Sequence, residues 1–300
     1  MILKPARLRP GDTIAVIAPA GPVTPSEIQP GMDLLIASGF EVITGEHLYD
    51  QQDYLAGRDE DRLADLHTAL RNDRVRAVIC ARGGYGIHRL LNRIDFRLFR
   101  RHPKILAGYS DITALLLAVH RKTGLVTFHG PMIKDLVKNG RRNLQSLLDV
   151  ISRGLAPSVD LQEAKVLKHG RAEGTLVGGN LSLLIHVLGT RFMPDLKGSI
   201  LFVEDTGEAL YRVDRMLTQL RLSGRLKGIA ALLGGQFDQC GDPARIDELL
   251  LEAVGDQRVP VVGGLPFGHG EANITLPVGL PAVLDTGKRV LSSAAPAVIL

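Results

Sequence analysis

KILAGYSDITALLLAVHRKTG, residues 104–124, decides the fold. Ile105, Leu106 and Ala107 form a short, wholly apolar run, as a strand buried on both faces requires. From about Asp111 the chain reads as a helix that ends at Gly124. Gly108, Tyr109 and Ser110 are left as a tight corner between them. The same alternation runs upstream. TIAVIAPA (13–20), FEVIT (40–44) and VRAVICA (75–81) read as strands. Between them lie helical segments: Ser26 to Gly39, and 59–71, where Leu63, Leu66 and Leu70 share a face. RGGYG and a short helix follow the third strand. Continuous apolar strands separated by helices predict a parallel sheet covered on both sides.

Downstream the texture changes. Residues 130–154 read as a connection, with the basic turn KNGRR (138–142) leading into an amphipathic helix, Arg141 to Arg153. AKVLKHG (164–170), AEGTLVGGN (172–180) and SILFVEDTG (199–207) are short, Gly-bounded and partly alternating. A helix over 208–222 places Leu210, Val213, Leu217 and Leu220 on one side. IAALLGG (229–235) and VPVVGGL (259–265) read as further strands. The expected architecture is therefore α/β. A flavodoxin- or Rossmann-like parallel-sheet domain spans residues 1–150, and a mixed α/β domain spans 151–300.

The composition suits a soluble globular chain: 45% of the 300 residues are hydrophobic and 23% charged. A net charge of +4, with both signs interspersed as in RDEDRLADLHTALRNDRVR (58–76), points to solvated helix faces and not to nucleic-acid binding. Aromatic residues make up 4% and Trp is absent, so a base-stacking surface is not expected. Two cysteines make no disulfide framework: Cys80 lies in an apolar run and Cys240 in a loop. The apolar stretch Ile14–Ala20 is too short for a signal peptide, and no run reaches membrane-spanning length. A cytoplasmic location and no membrane partner are expected.

Ser110 sits where an α/β protein presents a nucleophile, at a strand-to-helix corner beside a helix N-terminus whose free N–H groups can stabilise an oxyanion. The last position of the common G-x-S-x-G elbow is here Ile112, and Ser110 taken alone could equally be an N-cap. A serine needs a base. His67, His88, His120 and His186 lie in helix-like segments, His129 follows LVTF, and His47, His102 and His169 fall in loops or edges. His269 differs: PFGHGEAN is a Gly-flanked loop directly after a buried strand, where functional groups of open sheets gather. An orienting acid comes from VEDTGE, with Glu204 the first charge after LFV and Asp205 and Glu208 its rivals. The ARGGYG corner (81–86) offers unobstructed N–H groups, and Arg82 could pair with a substrate carboxylate. No HExxH, CxxC or phosphate-binding loop is present, so neither a catalytic metal nor a nucleotide cofactor is expected.

APAGPV (18–23), ARGGYG, GYSDIT, VEDTGE and GLPFGHG, in this order, closely resemble the serine LD-carboxypeptidase family, which includes the murein tetrapeptide carboxypeptidases and the microcin C immunity peptidases. The resemblance implies Ser110 as nucleophile, His269 as base and Glu204 as acid. It implies an oxyanion hole from the N–H groups of Asp111 and a glycine of ARGGYG, Gly84 in preference to Gly83. It further implies a homodimer, no cofactor, and release of a terminal D-Ala from a cytoplasmic murein tetrapeptide in peptidoglycan recycling. The alternatives are a peptide–nucleotide hydrolase, for which Tyr211 and Phe192 are the available second-domain aromatics, and a non-catalytic flavodoxin-like binding module.

Overall fold

A computed structural model describes residues 2–300. Five strands follow one another through the first half: β1 (Thr13–Ile17), β2 (Glu41–Thr44), β3 (Val75–Cys80), β4 (Ile105–Gly108) and β5 (Thr127–His129). They are parallel neighbours in the order 2-1-3-4-5, the flavodoxin-like arrangement, so the chain reverses its direction of winding between β1 and β3. The corners APAG, ARGGYG and GYSD follow β1, β3 and β4, and all three therefore lie along the carboxyl edge beside that reversal.

Side-chain alternation explains why both faces are covered. Ala15, Ile17, Val78, Cys80 and Leu106 belong to one apolar cluster. Their neighbours Ile14, Val16, Ala77, Ile79, Ile105 and Ala107 belong to a second, as a period of two requires. The second cluster is roofed by α1 (Pro25–Ala37), through Ile28, Met32 and Leu35. The first receives α2 (Asp59–Arg71), the short α3 (Ile87–Leu90) and α4 (Phe96–Arg101), and α5 (Ile112–Thr123). Every residue of α5 from Ile112 to Val119 is buried, so this helix is apolar all round and needs cover on every side. Truncating Leu115, Leu116 or Leu117, each without exposure, should cost roughly 2–5 kcal/mol.

The cover on the far side of α5 comes from the second half. After α6 (Arg142–Ile151) the chain forms β6 (Ser158–Asp160), β7 (Lys165–Lys168), β8 (Arg171–Asn180) and α7 (Leu181–Val187). Then follow β9 (Ser199–Thr206), α8 (Leu210–Leu222), β10 (Ala231–Asp238), α9 (Pro243–Val254), β11 (Val261–Gly263), β12 (Leu276–Val278), β13 (Pro281–Asp285) and β14 (Val290–Ser292). Eight of these strands form a mixed sheet in the order 6-14-13-8-9-10-11-7. Its parallel centre is β8 to β11. β12 crosses back and pairs antiparallel with β5 at the edge of the first sheet. One apolar cluster runs from Ala15 and Val78 through α5 to Leu201 and Leu232, so the two sheets share a core. The α/β class, with a parallel sheet followed by a mixed one, is as the sequence predicts.

Several elements differ from expectation. The strand over 229–235 starts later and runs on to Asp238, because its end pairs with Asp205 and Thr206 of β9 past an irregularity. His129 is the last residue of β5, not the first after it. Cys240 follows β10 but is buried, which pushes its thiol up to about 11; Cys80 is wholly buried and pushed up further. No helix of the described residues is long and apolar enough to cross a membrane.

Candidate active site

Ser110 stands between Gly108, the end of β4, and the first turn of α5. Its φ is +61°, left-handed backbone that a residue with a Cβ rarely adopts. Such a conformation costs on the order of 1–2 kcal/mol. The strain is outweighed by the anchorage on both sides: the Ser110 carbonyl accepts from the Thr113 N–H at 2.9 Å, and the Tyr109 carbonyl accepts from the Ile112 N–H at 3.2 Å. An N-cap role for Ser110 is not observed. Asp111 occupies the cap position, and its buried carboxylate leaves the helix to accept from the Ile87 N–H at 2.9 Å. Burial raises the Asp111 carboxyl to about 6, against the pull of the Ile87 N–H, the Arg62 charge and the Gly86 N–H.

That carboxylate joins two corners. Ile87 opens α3 directly after ARGGYG, so Asp111 ties the helix that follows Ser110 to the glycine corner. Gly83 faces Ser110: a Cβ there would lie 2.6 Å from the Ser110 Cβ, 2.7 Å from its Oγ and 3.5 Å from the Asp111 nitrogen. Gly84, with φ +118°, is packed instead against Gly21 of the β1 corner. Arg82 borders an open cavity of about 600 Å³ with Gly21, Pro22, Tyr54, Gly84 and Tyr85, and its Nη1 donates to the Pro22 carbonyl at 3.2 Å. Beneath these corners Arg62 is fully buried, donating to the Pro19 carbonyl and to Asp59 at 2.5 Å each.

Glu204 and His269 meet across the second sheet. His269 Nδ1 lies 2.6 Å from Glu204 Oε2. Glu204 is wholly buried, and the His269 side chain is 17% exposed. Burial alone would pull the imidazole down, but the hydrogen bond and charge of Glu204, with Asp205 and Asp135 farther off, bring it net above its usual range. A charge-assisted contact of this kind fixes the tautomer and the ring plane. The rival acids are engaged elsewhere. Asp205 accepts from Asn180 Nδ2 at 3.0 Å and from the Ser182 N–H at 2.9 Å, holding the start of α7. Glu208 pairs with Arg212 at 3.3 Å. Gly268 is required where the loop crosses Glu204: its φ is +109°, and a Cβ would fall 2.6 Å from Glu204 Oε2.

Tyr109 connects the two groups. Its ring lies 4.8 Å from the His269 ring, so the residue before Ser110 packs against the imidazole. Burial, the charges of Asp135 and Glu204, and a hydrogen bond to Asp135 push its hydroxyl above the usual phenol range. His129 lies 6.0 Å from Tyr109 among Phe202 and Phe267, completely buried, and desolvation holds it down to about 3. Tyr109, Asp135 and His129 were not singled out by sequence. The aromatic directly before the serine was the only local signal for them.

The other histidines lie elsewhere: His67, His88, His120 and His186 are on helices, as expected. Among the described residues one group of side chains could hold a cation, His47, Asp50 and Asp61, with ligand atoms within 4.8 Å of one another. These groups already pair internally and with Arg58.

The chain and its fold have counterparts. Residues 14–130 match the model of the LD-carboxypeptidase N-terminal domain, and residues 173–284 that of the C-terminal domain. A Bacillus subtilis protein named "Probable murein peptide carboxypeptidase" is 42% identical over 95% of this chain and 92% of its own. The crystal structure of muramoyltetrapeptide carboxypeptidase from Oxalobacter formigenes is 36% identical, covers 95% of this chain and 99% of its own, and has a TM-score of 0.83. The microcin C7 self-immunity protein MccF, solved in complex with aspartyl sulfamoyl adenosine, is 25% identical over 99% of this chain and all of its own, with a TM-score of 0.92. With both domain models matched in order over most of its length, the chain is an enzyme and belongs to the LD-carboxypeptidase family.

Proposed function

We propose that this enzyme is a serine peptidase that removes the terminal D-Ala from murein tetrapeptides through Ser110, His269 and Glu204. The observation that carries the reading is the 2.6 Å contact between a buried glutamate and a histidine whose ring packs on the residue preceding a left-handed serine. Because Nδ1 is committed to Glu204, Nε2 is the nitrogen left to take the Ser110 proton. Ser110 Oγ attacks the scissile carbonyl, and the N–H groups of Asp111 and of the ARGGYG corner receive the oxyanion. Gly84 is one candidate donor there, and the contact between Gly83 and Ser110 supports Gly83 as the second. His269 then returns the proton to the leaving amine, and water attacking in turn releases the acyl group from Ser110. Arg82 is the candidate partner of the terminal carboxylate. The setting is cytoplasmic peptidoglycan recycling, with the enzyme a homodimer.

The peptide–nucleotide alternative draws on the likeness to MccF. The burial of Phe192 weighs against it. Phe192 is buried, with Lys122 and Arg191 over its ring, and Tyr211 carries Arg212 and Arg215 on its own. Phe192 is therefore closed to a base, whereas Tyr211 remains 58% exposed. A murein tetrapeptide (L-Ala, D-Glu, diaminopimelate, D-Ala) should lose D-Ala, followed by mass spectrometry, with the wild type and not with Ser110→Ala. Activity retained in the variant would remove the nucleophile assignment. No release by either protein would shift the substrate to a peptide–nucleotide conjugate.

A further inference from the structure

The loop that carries His269 joins β11 to β12 and has few backbone bonds of its own. The Gln236 N–H donates to the Phe267 carbonyl at 2.9 Å, and the Ile274 N–H to the Pro266 carbonyl at 2.9 Å. Buried side chains supply the remaining anchorage. The Gly268 N–H, next to His269, donates to Asn273 Oδ1 at 3.1 Å. The Asn273 N–H donates to Asn143 Oδ1 at 3.0 Å. Asn143 Nδ2 in turn donates to the Glu271 carbonyl at 3.1 Å and to the Asp135 carbonyl at 3.2 Å. Ser146 Oγ, one turn along α6, accepts from the Thr275 N–H at 2.8 Å.

Asn143 thus pairs with the loop in both directions, accepting from one peptide and donating to another, as a neighbouring strand would. It also reaches the backbone of the turn that carries Asp135, whose carboxylate is paired with Lys138 at 2.7 Å. The route from this amide to the imidazole therefore runs through Asn273 to the Gly268 N–H beside His269. Asn143 and Asn273 are each 2% exposed, so their polar groups have little access to water. Asn143 belongs to α6, in the stretch between the residues matched by the two domain models.

We infer that Asn143 is a positioning residue for His269: its buried amide, acting through Asn273 and the loop backbone, holds the imidazole against Glu204. Its catalytic consequence rests on the proposed triad, but the placement of His269 is readable without turnover. The charged and titratable groups facing His269 are Tyr109 from the corner after β4, Glu204 and Asp205 from β9, Asp135 from the turn after β5, and His129 from β5.

The experiment is an NMR titration of labelled imidazoles in the full-length protein, with His269 assigned by His269→Gln, for the wild type, Asn143→Leu and Asn143→Ser. D-Ala release is measured alongside. Leucine removes both halves of the pairing without adding charge, and serine keeps a small polar group should the leucine variant not fold. In a folded variant the His269 midpoint should move down toward an ordinary histidine. The kcat should fall about a hundredfold, the scale expected of an ångström of misplacement, with KM nearly unchanged. A wild-type midpoint together with wild-type kcat, in a variant that is folded but less heat-stable, would overturn the inference and leave Asn143 a structural residue only. Absence of D-Ala release by the wild type would count against the substrate reading, while the titration would still decide the role of Asn143.

Discussion

Replacing Glu204 by Gln keeps the shape of the side chain and removes its charge. At the observed contact the centres of the carboxylate and an imidazolium lie about 4 Å apart, where an effective dielectric near 20 gives an attraction of about 4 kcal/mol. That attraction exists only once His269 is protonated, so it is realised mainly after the Ser110 proton has moved. It therefore lowers the barrier more than it aids binding. At about 1.4 kcal/mol per tenfold, Glu204→Gln should reduce kcat/KM about a thousandfold. The pH profile should change as well. The acid limb of kcat/KM reports the free enzyme's base, which must be neutral to accept a proton. In the wild type Glu204 raises His269, so the limb should lie above the usual histidine range; in the variant it should move to lower pH. Steady-state D-Ala release between pH 5 and 9, with unfolding curves to establish that both proteins are folded, measures both effects. A loss under tenfold, or a limb that stays in place, would refute the assignment of Glu204 as the partner of the catalytic base.

Ser110→Gly should remove the left-handed strain and raise stability by about 1 kcal/mol while eliminating turnover; Ser110→Ala should eliminate turnover without that gain, and thermal unfolding separates the two. Gly83→Ala has no left-handed backbone to strain, yet its new methyl would press on Ser110 Oγ, so kcat should fall a hundredfold or more with the fold kept. Gly84→Ala adds a Cβ at φ +118° against Gly21 and should chiefly lower the unfolding temperature. Asp111 is raised from 3.8 to about 6 on folding, so the stability linked to its protonated form is fully present below about pH 4 and is lost as pH rises through 6. Urea unfolding should show wild-type stability, relative to Asp111→Asn, declining by about 3 kcal/mol over that window; parallel curves would exclude Asp111 as the titrating group.

The parts of the site that were legible in the sequence are those whose geometry is local. A buried strand, a glycine, a serine and an apolar helix form one continuous stretch around Ser110, and the turn between them leaves the hydroxyl few places to go. The choice among Glu204, Asp205 and Glu208 was not legible in the same way. Adjacent residues of a strand point to opposite faces, and which face meets the histidine loop depends on how β9, β10 and β11 are registered across some sixty residues of chain. Pairing at that range sends Asp205 to α7 and Glu204 to His269. Asn143 carries no local signal for its role, since its partners in the His269 loop lie 128 and 130 positions away. The return of β12 to the first sheet is hidden for the same reason: three residues, Leu276–Val278, reveal nothing of β5 until both are in place. α9 is the opposite case, with Asp242 as cap and Pro243 in the first turn as plain local marks of a helix that the sequence reading passed over.

The proposed nucleophile and its proposed acid–base pair come from different halves of the chain, so their relative placement depends on what joins the halves. Thr113, in the first turn of α5, accepts from the Asn180 N–H at 3.1 Å through its Oγ1, and Gly179 beside it leaves no room for a Cβ against the same side chain. Asn180 ends β8 and is the registered neighbour of Glu204 on β9. A short buried path therefore runs from Ser110 through Thr113 and Asn180 to Glu204, flanked by the shared apolar cluster around α5. Separating the halves would expose α5 and leave the Asn180 N–H unpaired, an unfavourable change on both counts. Ser110 and the Glu204–His269 pair are in this way linked by buried contacts that span both halves. On the first-sheet side of this path, Arg82 and Gly84 of the glycine corner border an open cavity with Gly21, Pro22, Tyr54 and Tyr85.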